Sequence, residues 1–328
     1  MAHEVETMAY ANQVPWHGLG ARVDQDVSVD EMIKAAGLDW ELVRVPLRTA
    51  DNEDVPEAMR NLRIADRNAW VRNTDNKVMA VTGSAWRPLQ PADTLGFMRN
   101  YVAAGNATLE TAGSLRNGKV VWGLAKLKHD FEVRPGDRVN GYVLITSPNE
   151  VGKAITLRTT TVRVVCANTM AMANQTGNGE THYRQSHVGE FDEAAAKEAI
   201  GNAHEQLAQA ERNAKILDKL KINASDAITK ALVPVFFPDL NTDDKELMEA
   251  IQLPESMPKR LQQLMEAIET SPGNKEIAGT GWAVLNGVTY WADHMFGHNA
   301  ATRMHRSWMG DNARHKLAVE QKLLELAA

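Results

Sequence analysis

Residues 156–174 read Thr-Leu-Arg-Thr-Thr-Thr-Val-Arg-Val-Val-Cys-Ala-Asn-Thr-Met-Ala-Met-Ala-Asn, and they concentrate the side chains best suited to chemistry. Arg158 and Arg163 carry guanidinium groups, whose planar pairs of donors match a phosphate or carboxylate. Thr160 and Asn168 add neutral hydrogen-bonding groups. Lys153 stands just before this stretch, and His182 and Arg184 follow it beyond a glycine-bearing loop at 176–180. Such a set could line a groove for an anionic, hydrogen-bonding ligand. The competing reading is structural, with the arginines bridging a sheet to neighbouring helices. Arg158 and Arg163 are five positions apart, so on a regular strand they point to opposite faces. Either a bulge realigns them or only one belongs to the site.

A second set lies near the C-terminus. Trp282, Asn286 and Tyr290, with Asp293 or His294, recur at helical spacing and share a face. Exposed, that stripe could stack bases, because an aromatic face accepts any base. Val284, Val288, Trp291 and Met295 make the opposite side apolar as well, which is the pattern of an interior helix. Among the histidines, His294, His298, His305 and His315 cluster late, but no carboxylate completes a metal motif and Gly297 weakens the helix between the first two. Cys166 has no base beside it in sequence and reads as a structural thiol. Trp16-His17-Gly18-Leu19-Gly20 lacks the Gly-Lys-Ser/Thr pattern of a phosphate loop and suits the docking of an N-terminal arm. No catalytic triad, carboxylate pair or dinucleotide fingerprint is present, and no metal or cofactor is expected.

The elements that must hold these residues change character along the chain. The β-branched density of 154–166 predicts a strand. Strands are also predicted at 40–47, at 68–72 and 77–81 around Asn73-Thr74-Asp75-Asn76, and at 138–146. Segments 108–115 and 119–124 flank Asn117-Gly118, a strong hairpin signal. Pro91 opens a helix that ends near Gly105. Sequential strands with short turns favour an antiparallel meander. After Gln175 the period changes to helical. One long helix is predicted over 191–220, with others at 224–236, 256–270, 280–296 and 311–327, punctuated by prolines. The expected class is α+β, an antiparallel β-rich half over 1–185 with an N-terminal arm, packed with a helical half over 186–328.

Composition bounds the function. The chain has 328 residues and a net charge of −6, which argues against a general polyanion binder. The charge is uneven: residues 1–60 carry 5 basic and 12 acidic side chains, residues 61–190 carry 16 and 10, and residues 191–328 carry 15 and 20. A basic middle between acidic flanks can mark a polyanion site, or the segments can simply pair with one another. One cysteine excludes an internal disulfide framework. No run of 18 apolar residues exists and the N-terminus lacks an apolar signal core, so the expected location is the bacterial cytoplasm, with no membrane partner.

The block Arg163-Val164-Val165-Cys166-Ala167-Asn168-Thr169 resembles that of the phage/plasmid-like protein family, also called domain of unknown function 932. Further blocks agree in order: Pro15–Gly20, Glu110–Leu115, Val121–Leu127, Gly281–Thr289 and Trp291–His294. The resemblance spans almost the whole chain and implies a phage, prophage or plasmid origin, with no activity attached. By analogy with phage strand-annealing proteins, which pair a curved antiparallel sheet with helices and a basic groove, the expectation is a homo-oligomer that binds single-stranded DNA in replication or recombination. Two alternatives stay open: an enzyme acting on a nucleotide or nucleic acid, and a factor that binds a host protein.

Overall fold

The computed structural model describes residues 5–12, 19–163, 168–171, 183–253, 255–296 and 311–328. Its class is α+β, with strands dominating the first half and helices the second. The meander over the middle of the chain forms as its pattern predicts. β6 (Ala107–Leu115), β7 (Val120–Glu132), β8 (Arg138–Pro148) and β9 (Ala154–Arg163) pair antiparallel in sequence order. Arg116, Asn117 and Gly118 all adopt positive φ in the β6–β7 connection, so the Asn-Gly signal sits inside a longer turn than a two-residue hairpin.

Strands at both ends enlarge this meander. β1 (Val5–Tyr10) pairs antiparallel with β6, and the two-residue β2 (Ala21–Arg22) pairs parallel with β1. The start of the expected N-terminal arm is therefore a sheet strand. At the other edge β9 is shared: β10 (Asn168–Ala171) pairs with its second half and β11 (Tyr183–Ser186) with its first. A separate sheet orders β3 (Leu42–Arg48), β4 (Arg63–Arg72) and β5 (Val78–Gly83).

Helices cover one face of the large sheet. Val121, Ala125, Val143, Ile145 and Leu157 face that way and join one apolar cluster with side chains from α1 (Val29–Ala35), α2 (Pro91–Gly96), α4 (Glu193–Gly201) and α5 (Ala203–Lys219). A short α3 (Arg99–Ala103) follows α2, so the helix expected over 91–105 is two pieces. The long helix expected over 191–220 is likewise divided, at Gly201-Asn202, where two poor helix formers meet. The remaining helices are α6 (Ala224–Asp226), α7 (Val233–Phe236), α8 (Lys245–Ala250), α9 (Lys259–Thr270), α10 (Gly281–Tyr290) and α11 (Asp311–Ala327). Wider π-helical turns extend two of them, Ala227–Leu232 before α7 and Trp291–Met295 after α10.

A second apolar cluster fills the helical half and reaches the sheet through Phe131 and Val139. The turn between β7 and β8 fixes the joint. Arg134 donates to Asp218 on α5 at 2.9 Å and to the Glu276 carbonyl at 2.6 Å, while the Trp282 indole donates to Asp137 at 2.9 Å. Among the described residues, no helix is long and apolar enough to cross a membrane.

Candidate nucleic-acid interface

The strand register decides which of the expected site residues can act together. β8 and β9 pair without a slip from Val139↔Arg163 to Thr146↔Thr156. No bulge realigns the two arginines, so positions 158 and 163 stay on opposite phases of β9. Leu157 belongs to the buried cluster under the helices, which places Thr156, Arg158 and Thr160 on the other face. Arg184 is the partner of Thr156 across the β9–β11 ladder, so it rises from that same outer face, exposed at the sheet edge. From the spacing of strands and residues, the Cα atoms of Arg158 and Arg184 lie about 8 Å apart. Lys153 is exposed in the turn that leads into β9.

The outer face holds a polar row that runs across the sheet. Thr160 pairs with Tyr142 on β8, and Tyr142 with Lys126 on β7. Glu110 completes the group from the irregularity in β6 between Leu109 and Thr111, where its carboxylate accepts a 2.7 Å hydrogen bond from Asn12. Burial raises the Glu110 pKa above the ordinary carboxylate value, and the Asn12 bond and nearby Lys126 offset only part of that rise. Burial, and then the Glu110 charge, push the Tyr142 phenol up to about 12, so it stays protonated as a donor at neutral pH. Burial also draws the Arg158 guanidinium below its usual pKa, which still leaves it a cation. In the adjacent row Thr146 and Thr156 share a 2.7 Å hydroxyl–hydroxyl hydrogen bond. Of these groups Arg184 is exposed, Arg158, Tyr142 and Lys126 are half-buried and Thr160 is buried, with Leu124 and Leu144 in the row between the hydroxyls and one acid at the far side.

The aromatic stripe is corrected. Trp282 and Asn286 are fully buried at 0% exposure, the Asn286 amide donating to the Trp282 carbonyl. A ring without an exposed face has none to offer a base, because this helix is apolar all round and sits in the middle of the helical half. Tyr290 is half-buried and its ring packs on His294 at 4.7 Å. His182, Cys166, His298, His305 and the 15–18 part of the tryptophan-glycine block lie outside the described residues. Arg163 and Asn168 are described only as backbone partners on β9 and β10. Glu110, Lys126, Tyr142 and Thr156 went unread as site residues. Their only signal was an isolated charged or hydroxyl side chain within a largely apolar strand, which does not by itself show which strands meet.

The fold defines an α+β protein built on a large, mostly antiparallel sheet, with helices on one face and, on the other, a polar group beside a small apolar cluster of Met8, Leu115, Val120 and Trp122. Residues 78–318 match the family described as domain of unknown function (DUF932), and the chain belongs to that family. No curated protein and no solved structure matches it.

Proposed function

We propose that the chain is a nucleic-acid-binding protein that lays single-stranded DNA across the outer face of its large sheet. One observation carries this reading: register brings Arg184, Arg158 and Lys126 onto the face that also presents Thr156, Thr160 and Tyr142. Guanidinium and ammonium groups neutralise phosphates, and hydroxyls hydrogen-bond to backbone or base without demanding a sequence. The basic middle of the chain supports the same assignment. On this reading the protein is a phage or plasmid product that acts in the bacterial cytoplasm in replication or recombination. It acts as a homo-oligomer, which aligns many copies of a modest basic face and so compensates a net charge of −6.

Mobility shifts with single-stranded DNA, duplex DNA and RNA across a salt series test the reading. The expected result is preference for single strands, with log Kd rising with log salt. Replacing Arg158 and Arg184 together by alanine should weaken binding to all sequences alike and flatten the salt slope by about 1.4, or about 0.7 per lost phosphate contact. A folded double variant that binds like the parent, or a parent that ignores single strands even at low salt, defeats it. A second reading, an enzyme acting on a nucleotide or nucleic acid, draws on Glu110, whose raised pKa beside Lys126 and Tyr142 suits a general acid. Incubation with nucleotides and oligonucleotides, followed by mass spectrometry, would reveal a product that Glu110→Gln fails to form.

A further inference from the structure

A cavity of about 220 Å³ opens between α3, the turn that follows it and α4, lined by Phe97, Asn100, Tyr101, Asn106, Lys197 and Ile200. Its floor is core. Phe97 and Ile200 are 5% and 1% exposed and belong to the apolar cluster under the large sheet, against which Tyr101 packs. Phe191 meets the Phe97 ring edge-on at 5.9 Å and fixes it. Asn100, Asn106 and Lys197 are exposed and form the rim. The turn after α3 holds one of them in place. The Asn106 amide donates to the Tyr101 carbonyl at 3.2 Å, and the Asn106 carbonyl accepts from the Lys128 amide at 3.1 Å. Burial raises the Tyr101 pKa, so the phenol is neutral at pH 7.

We infer that this cavity takes the base of a free purine nucleotide, with the phosphate at its mouth beside Lys197. Size sets the class of ligand. An apolar cavity of about 150 Å³ holds a benzene ring, and drug-sized ligands occupy roughly 300 Å³ or more. The space here lies between the two and suits a one- or two-ring heterocycle whose remaining groups stay outside. Lining chemistry narrows the class. Phe97, Tyr101 and Ile200 offer aromatic and aliphatic surface to the faces of a flat ring. Two asparagines stand at the rim, where the edge of such a ring emerges, and a carboxamide matches the adjacent donor and acceptor of adenine. The mouth accounts for the phosphate. Lys197 pairs with Glu193 one turn back on α4 at 2.7 Å, so its ammonium is held at the opening by a carboxylate that a phosphate can replace. The cavity lies among the helices on the inner side of the large sheet, apart from the outer face where strand binding is proposed.

NMR titrations of the full chain with adenosine, adenosine monophosphate and benzoate test it, each to about 10 mM, a range that spans the affinity of ligands this small. Adenosine should bind saturably, its monophosphate about threefold more tightly, and benzoate should not compete. Asn100→Ala with Asn106→Ala, both on exposed residues, should weaken the two adenine ligands alike by about tenfold. Lys197→Met should bring the monophosphate down to the level of adenosine. Glu193→Gln, which removes the competing carboxylate, should tighten the monophosphate and leave adenosine unchanged. Arg158→Ala with Arg184→Ala should alter neither. Should the loss of Asn106 loosen the turn after α3, seen as a lower Tm, Asn100→Ala alone decides, with a loss of about threefold. No saturable binding of either adenine ligand overturns the inference, and so does benzoate that competes as well as adenosine. Binding that the asparagine variants leave unchanged, or that the outer-face arginine variant abolishes, places the ligand elsewhere and overturns it too.

Discussion

The Trp282 indole fills the centre of the helical half and also holds the joint to the sheet through Asp137. Trp282→Ala should therefore destabilise the fold by about 3–5 kcal/mol, as large aromatic truncations in cores do. Thermal and denaturant melts would measure that loss, whereas a base-stacking role would leave stability nearly unchanged and lower affinity instead. Glu110 makes a prediction with a sign. Its folded pKa is raised above the ordinary value of 4.5, so the neutral acid is the form the fold prefers. The stability it contributes is full below about pH 4 and is lost as pH rises through the folded pKa. Glu110→Gln keeps a carbonyl to accept from Asn12 and removes the charge. It should melt like the parent near pH 4 and above the parent at pH 7, and a Tm difference that is the same at both values would refute this account. At this scale Arg158, Thr160 and Arg184 were legible from composition. Glu110 was not, because a raised pKa arises from neighbours that only pairing of distant strands supplies.

Among the elements, the meander and the late helices could be read from period alone, while their interruptions could not. A hydrophobic repeat continues past Gly96 and past Gly201, so the pattern shows one helix in each place where the low propensity of glycine makes two. The capping box that starts α1 was in plain sight as Ser28-x-x-Glu31: the Ser28 hydroxyl accepts from the Glu31 amide at 3.2 Å, and the Glu31 carboxylate accepts from the Ser28 amide at 3.0 Å. β1 was harder, because its antiparallel partner is a strand that begins about a hundred residues later. Close approach makes that pairing fragile. A Cβ on Gly113 would stand 2.3 Å from the Thr7 carbonyl oxygen and 2.7 Å from the Met8 Cβ. Gly113→Ala should therefore push β1 off β6. Hydrogen exchange should show lost protection at residues 7–10, with the β7–β8 amides still protected, and unchanged protection in β1 would contradict the clash.

At the scale of the whole molecule, the division near residue 185 describes composition better than packing, since the apolar cluster under the large sheet takes Ala196, Ile200 and Leu207 from beyond it. The place of β1 also sets an order of events on the ribosome. Val5 precedes its partner Leu115 by 110 residues. At about 5–20 residues per second, the first strand spends roughly 5–20 s without its neighbour. Its brevity and its central threonine, Val-Glu-Thr-Met-Ala-Tyr, keep that wait from being a long apolar edge. β1 can join the sheet only once β6 has been made, through a contact between segments 110 positions apart.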